Sequence, residues 1–237
     1  MSDSSLGPDP HRSYDERVAR GRALRDAVPR AHQANWSPPK DRADPLNLLR
    51  SQDRERLPDL IPLRHERMRA SPFAFLRGSA AVMAQDLGAT PATGIRVEAC
   101  GDCHLANFGL YGTPERNLLF DINDFDETLP APWEWDLKRL ATSFLVAARS
   151  SHRTDAAGKD AARAAVEAYR THLREMGTWS NLDVWYGQVT AVDVERLLNV
   201  PRADAEAAIA KARAQVPALE LTKLTVEVGG QPRFKDD

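Results

Sequence analysis

Apolar positions change spacing several times along the chain, and each change marks an element. From Tyr14 to Gln33 they are sparse among charges (Val18, Leu24, Val28), which predicts a surface helix. Ser37-Pro38-Pro39 and Asp44-Pro45 punctuate the next connection. Leu46 to Leu57 and Ile61 to Met68 are short helical stretches. At Ser71 the signal sharpens: Ser71 suits an N-cap and Pro72 the first helical position. Phe73, Leu76, Ala80, Met83 and Leu87 then recur at spacings of three and four. One amphipathic helix is predicted there, with its stripe in the core and Gly88 just past its end.

The period then shortens. Ile95 to Ala99 alternates as a strand does. Asn107–Tyr111 and Asn117–Phe120 are two further short strands, with Gly112-Thr113-Pro114-Glu115 as the turn between them. Leu137, Leu140, Ala141, Phe144, Leu145 and Ala148 describe one apolar helix face, and Ala165, Val166, Tyr169, Leu173 and Met176 another. Trp179 to Val200 reads as short helices and Asp204 to Val216 as an Ala-rich helix. Leu224–Val228, Gly229-Gly230 and Gln231–Phe234 read as a hairpin. The expected class is α+β and mostly helical. A lone terminal hairpin is marginal in water, which suggests that the chain is a fragment of something longer.

Composition narrows the class. In 237 residues, 42% are apolar and 28% charged, enough for a sizeable core and too much for wholesale disorder. Thirty-two basic residues against 34 acidic give a net charge of -2, which argues against binding nucleic acid through bulk charge. No apolar run approaches the roughly 20 residues of a membrane span, and the N-terminus has no secretory pattern. Two cysteines cannot build a disulfide scaffold. A cytoplasmic protein is expected.

Candidate chemistry concentrates in Cys100-Gly-Asp-Cys-His-Leu-Ala-Asn-Phe-Gly109 and Phe120-Asp-Ile-Asn-Asp-Phe-Asp-Glu127. Burying so many polar groups without a purpose would be costly. If the two strands pair around a turn centred near Pro114, Asn107 faces Asp121, each seven residues from the centre. Asp102, His104, Asn107, Asp121 and Asp124 then converge at one end of the hairpin. An Asn oxygen and one or two carboxylates make a hard-oxygen site suited to Mg²⁺. A further Asp outside the metal shell can orient or accept a hydroxyl proton. A loop carboxylate of this kind is expected to contribute little to the core.

Gly101-Asp102-Cys103-His104-Leu105-Ala106-Asn107 resembles the G-D-x-H-x-x-N catalytic loop of aminoglycoside phosphotransferase-like kinases. Asp121-Ile122-Asn123-Asp124 is similar to their I-D-x-x-D segment, and Trp135-Asp136-Leu137 to the Asp-Leu that opens the following helix. A closer resemblance covers more of the chain. Ser71 to Gly78, Cys100 to Gly109, Asn123 to Glu127 and Trp133 to Leu140 together look like the bacterial family known as domain of unknown function 2252. The resemblance implies a kinase-like large lobe with its lobes in permuted order. It divides the chain into a flexible segment and surface helix over 1–44, a catalytic-lobe domain over 45–222, and the start of a truncated β-rich nucleotide-binding lobe over 223–237.

The function so implied is Mg-ATP-dependent phosphoryl transfer to a small-molecule hydroxyl. Asp102 would orient the hydroxyl and His104 the loop. Asn107, Asp121 and Asp124 would be the metal ligands, and Asp136 a buried support, or a plain N-cap of its helix. The Gly-rich loop and strand Lys that neutralise phosphate in kinases have no counterpart in residues 1–94, so weak Mg²⁺ binding and very weak ATP binding are expected. Arg64, Arg67 and Arg77 read as a solvated face, with phosphate contact as the alternative. A non-catalytic kinase-like binding module, or an inactive fragment, is the competing reading. Cys100-x-x-Cys103-His104 also fits c-type haem attachment or a redox dithiol; without an export signal, and with Asp102 between the thiols, this is the remote alternative.

Overall fold

The structure, a computed structural model, describes residues 12–113, 115, 117–198, 207, 210, 225–228 and 231–234. The expected turn at Pro114, the turn at Gly229-Gly230, the first eleven residues and all of the Asp204–Val216 helix but Ala207 and Ala210 lie outside them. The chain forms two compact units. One runs to Asn107 and resumes from Asp124 to Ser180; the other holds Phe108–Asn123 and Asn181 onward. The described residues are α+β and mostly helical, with three two-stranded antiparallel sheets.

In the first unit, helix α1 (Tyr14–Ala27) opens on a capping box. The Ser13 N–H donates to Glu16 Oε2 at 2.7 Å, and Ser13 Oγ accepts from the Glu16 N–H at 3.3 Å. It buries none of its residues, as its sparse apolar pattern requires. Helices α2 (Pro45–Asp53) and α3 (Ile61–Arg69) follow. The single helix expected from Ser71 is two: α4 (Pro72–Arg77) and α5 (Ala80–Gly88). Helical continuation would have used the Leu76 and Gly78 carbonyls. At the break Leu76 O instead accepts from the Ser79 N–H at 3.1 Å, three residues on, and from Arg139 Nη2 at 2.7 Å, while Gly78 O accepts from Arg64 Nη2 at 2.6 Å. A Cβ at Gly78 would stand 2.6 Å from the Met68 sulfur, so the break also admits α3 at close range. Gly88 is the last helical residue, not the one after.

Strand β1 (Arg96–Ala99) pairs with a strand the pattern does not suggest, β4 (Leu129–Pro132), in the register Val97↔Ala131 and Ala99↔Leu129. Pro130 and Pro132 argue against a strand, but they alternate, so both put their missing N–H on the same edge. A two-stranded ladder leaves one edge of each strand unpaired, and the prolines cost nothing there. Helices α6 (Glu134–Ser150) and α7 (Asp155–Met176) form the largest packed pair. Gly158 lets them approach: a Cβ there would meet Ala148 Cβ at 2.9 Å. Trp133 stacks on Tyr169, rings 6.1 Å apart and 8° from parallel.

In the second unit, β2 (Phe108–Gly112) pairs with β3 (Leu118–Ile122). The register corrects the expected facing of Asn107 and Asp121: Asp121 pairs with Gly109 and Phe108 with Ile122. The turn sets this register. Thr113 N–H donates to Asn117 O at 2.8 Å and Asn117 N–H to Thr113 Oγ1 at 3.2 Å, which centres the hairpin one residue later than Pro114. Asn107 is not in the strand but in a 3-10 turn, Leu105–Asn107. Helices α8 (Asn181–Trp185) and α9 (Ala191–Leu198) belong to this unit, as does the terminal hairpin of β5 (Thr225–Val228) and β6 (Gln231–Phe234). Thr190, whose hydroxyl accepts from the Asp193 N–H, caps α9 and bridges to Leu119.

Candidate functional site

One face of α6 holds the whole loop 100–107. Asp136, Arg139 and Ser143 follow one another at spacings of three and four, so they share that face. Asp136 accepts from the Cys100 N–H at 2.7 Å and the Gly101 N–H at 3.1 Å. Arg139 Nε donates to Asp102 Oδ1 at 2.6 Å, and its Nη2 lies against the same oxygen. Ser143 Oγ accepts from the Leu105 N–H at 3.0 Å. Arg139 is 2% exposed and Ser143 0%, so this polar seam runs through the core of the unit. Gly101 makes the bend possible. Its φ is +79°, and a Cβ there would sit 2.0 Å from Glu127 O.

The loop presents its side chains in distinct states. Asp102 keeps Oδ1 on Arg139 and leaves Oδ2 without a hydrogen bond among the described residues; His104 Nε2 is 3.6 Å from Oδ2. Burial pushes the Asp102 carboxyl up to about 6, against the pull of Arg139. His104 is 2% exposed and edge-on to Phe73. Burial, then the charges of Arg139 and Arg77, bring its imidazole down to about 4. The ring is therefore neutral near pH 7, and its Nδ1 is buried without a partner among the described residues. Asn107 Nδ2 donates to Asp102 O at 2.8 Å, leaving the amide oxygen as its acceptor end. Asp124 is exposed, and its Oδ1 accepts from the Asp126 N–H at 3.3 Å.

Asp102, His104, Asn107 and Asp124 line one cleft of about 920 Å³ in the first unit, with Arg56, Arg64, Arg67 and Arg77. Two of the four arginines come from α3, whose Leu63, Arg64, Arg67 and Met68 recur at helical spacing along the cleft. Asp121 belongs to the second unit, exposed on β3, and its Oδ1 accepts from the Ile122 N–H at 2.8 Å. Among the described residues, no three His, Cys, Asp or Glu side chains gather into a metal-holding group.

Residues 56–237 match the bacterial family described as "Uncharacterized protein conserved in bacteria (DUF2252)". The chain belongs to this family. The match begins at Arg56 and so takes in every residue lining the cleft except Glu55. No curated protein and no solved structure matches the chain. No helix among the described residues is long and apolar enough to cross a membrane.

Two contributors escape the sequence reading. Arg139 lies inside the Trp133–Leu140 segment that carries the family resemblance, yet a basic residue between Lys138 and Leu140 gives no sign of burial. Its position three after Asp136 is the available signal. Arg56 sits in a charged stretch and has none. The cysteines of the C-x-x-C-H pattern are both buried, Cys100 at 5% and Cys103 at 6% exposure. Cys100 Sγ donates to Asp124 O at 3.5 Å. The Cys100 thiol is pulled below its ordinary value and that of Cys103 pushed up, each first by the hydrogen bond between them. With His104 also enclosed, these three side chains are packed as core.

Proposed function

We propose that the cleft around Asp102 transfers a phosphoryl group from Mg-ATP to a hydroxyl of a small molecule. The observation that carries this reading is the state of Asp102. One of its oxygens is fixed by buried Arg139, the other is unbonded, and its carboxyl lies near 6, close to the pH at which a general base works best. The acceptor O–H gives its proton to Asp102 Oδ2. The new O–P bond forms as the bond to the leaving diphosphate breaks. Neutral His104 neither gives nor takes a proton in this scheme; enclosed against Phe73 and 3.6 Å from Asp102 Oδ2, it helps to orient the loop.

The donor set fits a divalent cation shared with phosphate. The Asn107 amide oxygen and the Asp124 carboxylate are hard-oxygen ligands, and Mg²⁺ ordinarily takes one or two carboxylates together with substrate phosphates rather than an all-protein cage. Asp121 enters this proposal on the sequence resemblance alone, as do the kinase-like lobe and its permuted order. When bound, Mg²⁺ would neutralise charge on the phosphates. A cytoplasmic location belongs to the same reading. The buried Asp102–Arg139 pair also favours a second reading, a non-catalytic binding module in which Asp102 serves only to hold its loop.

The test is transfer of label from millimolar Mg-[γ-³²P]ATP to a panel of small sugars and aminoglycosides. Wild type should label an acceptor. Asp124→Asn, a change at an exposed side chain, should reduce the rate at least tenfold with an unchanged melting temperature. Absence of labelled acceptor with wild type supports the binding-module reading instead.

A further inference from the structure

We propose that the acceptor bound in this cleft carries a phosphate-class anionic group, seated on Arg56, Arg67 and Arg77 beside Asp102. The inference deepens the phosphotransferase reading and rests on it for the word acceptor; the anion site itself does not.

Four arginines line the cleft, against the carboxylates of Glu55, Asp102 and Asp124. Asp102 is already matched by Arg139, so the lining carries an excess of positive charge. The arginines also differ in what they already do. Arg64 is committed through Nη2 to Gly78 O, and burial followed by the like charge of Arg56 holds its guanidinium below the ordinary value. Arg67 and Arg77 have neither an ion-pair nor a hydrogen-bond partner for their guanidinium groups among the described residues. Arg56 reaches Glu127 at 3.8 Å, but its Nε is buried without a partner among the described residues. Like charges that raise one another's energy when the cleft is empty are the arrangement that a dianion relieves.

Placement fits the chemistry. Arg64 and Arg67 are three apart on α3, hence on one face. Arg77 ends α4, and its charge is felt at His104, which follows Asp102 by two residues. A phosphate on the arginines therefore leaves the rest of a small molecule within the same 920 Å³ as the Asp102 carboxylate. Arginine binds phosphate in a planar, paired geometry that suits orientation of a substrate as well as affinity.

The same chemistry could come from the nucleotide, so the experiment has two arms. Inorganic phosphate is titrated into the full chain at constant ionic strength, followed by calorimetry, with and without 1 mM Mg-ADP. Arg67→Gln and Arg77→Gln change exposed side chains and should melt like wild type. The expected result is saturable phosphate binding, weakened at least tenfold in each arginine variant and unchanged by Mg-ADP. Binding that is absent, or equal in the arginine variants, overturns the site. Competition by Mg-ADP reassigns the arginines to the nucleotide and overturns the acceptor claim. Because no turnover is measured, a protein that binds phosphate but fails to transfer label sinks the phosphotransferase reading while leaving the anion site standing.

Discussion

The buried guanidinium of Arg139 and the part-buried carboxylate of Asp102 form an ion pair, Nε to Oδ1 at 2.6 Å, between α6 and the loop that carries the candidate chemistry. Arg139 spends its other nitrogens on Leu76 O, at the end of α4, and on Met83 Sδ in α5. One side chain thus joins the loop to α6, α4 and α5. Asp102 is therefore part of the core's polar framework, contrary to the expectation that it adds little there.

Removing one partner of such a pair leaves the other charge buried. Arg139→Met should cost about 3–5 kcal/mol. Asp102→Asn, which keeps an acceptor for Arg139 Nε, should cost about 1–3 kcal/mol. Urea unfolding of the two single variants and the double variant measures both. A double variant that loses the full sum of the single costs would show that the pair is not coupled.

Gly101 is the second point of control. With φ at +79° and the Glu127 carbonyl where a Cβ would go, Gly101→Ala cannot be relieved by turning a side chain. A loss of about 1–3 kcal/mol is expected, larger if the backbone must move. A melting temperature within a degree of wild type would mean that the loop has a second low-energy path.

The two titrating groups of the loop act on stability in opposite senses. Asp102 is raised from 3.8 to about 6. The folded state therefore holds its proton better than the unfolded state, and this contribution is lost as pH rises through about 6. His104 is lowered from 6.5 to about 4, so its contribution is present above 6.5 and lost as pH falls through about 4. The two effects oppose one another across the same window. His104→Asn should leave only the Asp102 effect, so the variant loses stability relative to wild type as pH rises from about 4 to 6.5. Parallel stability curves over that range would contradict the burial of a neutral imidazole.

Sequence pattern reveals α6 and α7 because their apolar faces are continuous. It does not reveal what the other side of α6 does. Asp136, Arg139 and Ser143 are residue types that usually meet water, and only the tertiary fold turns them inward onto loop 100–107. The prolines of β4 conceal a strand whose pairing uses one edge. The division between α4 and α5 is invisible because the apolar spacing runs across it unbroken, while the partners that bond the carbonyls at the break, Arg64 and Arg139, are distant in sequence. The loop motif itself is legible: Asp102, His104, Asn107 and Asp124 line one cleft. The cleft's basic side is not, since arginines on α3 look like an ordinary solvated face until the leucines beside them prove to line the same space.

The most direct test of the Asp102 mechanism is the pH dependence of phosphoryl transfer from labelled ATP to an acceptor, for wild type and Asp102→Asn, at a fixed millimolar concentration of Mg-ATP. With Asp102 as the base, the wild-type rate should rise with pH through about 6 and level off above it. The variant should be slower by about 10²–10⁴-fold with no inflection there, at temperatures where it is still folded. A wild-type rate that is flat between pH 5 and 7, or a variant within threefold of wild type, would contradict the account.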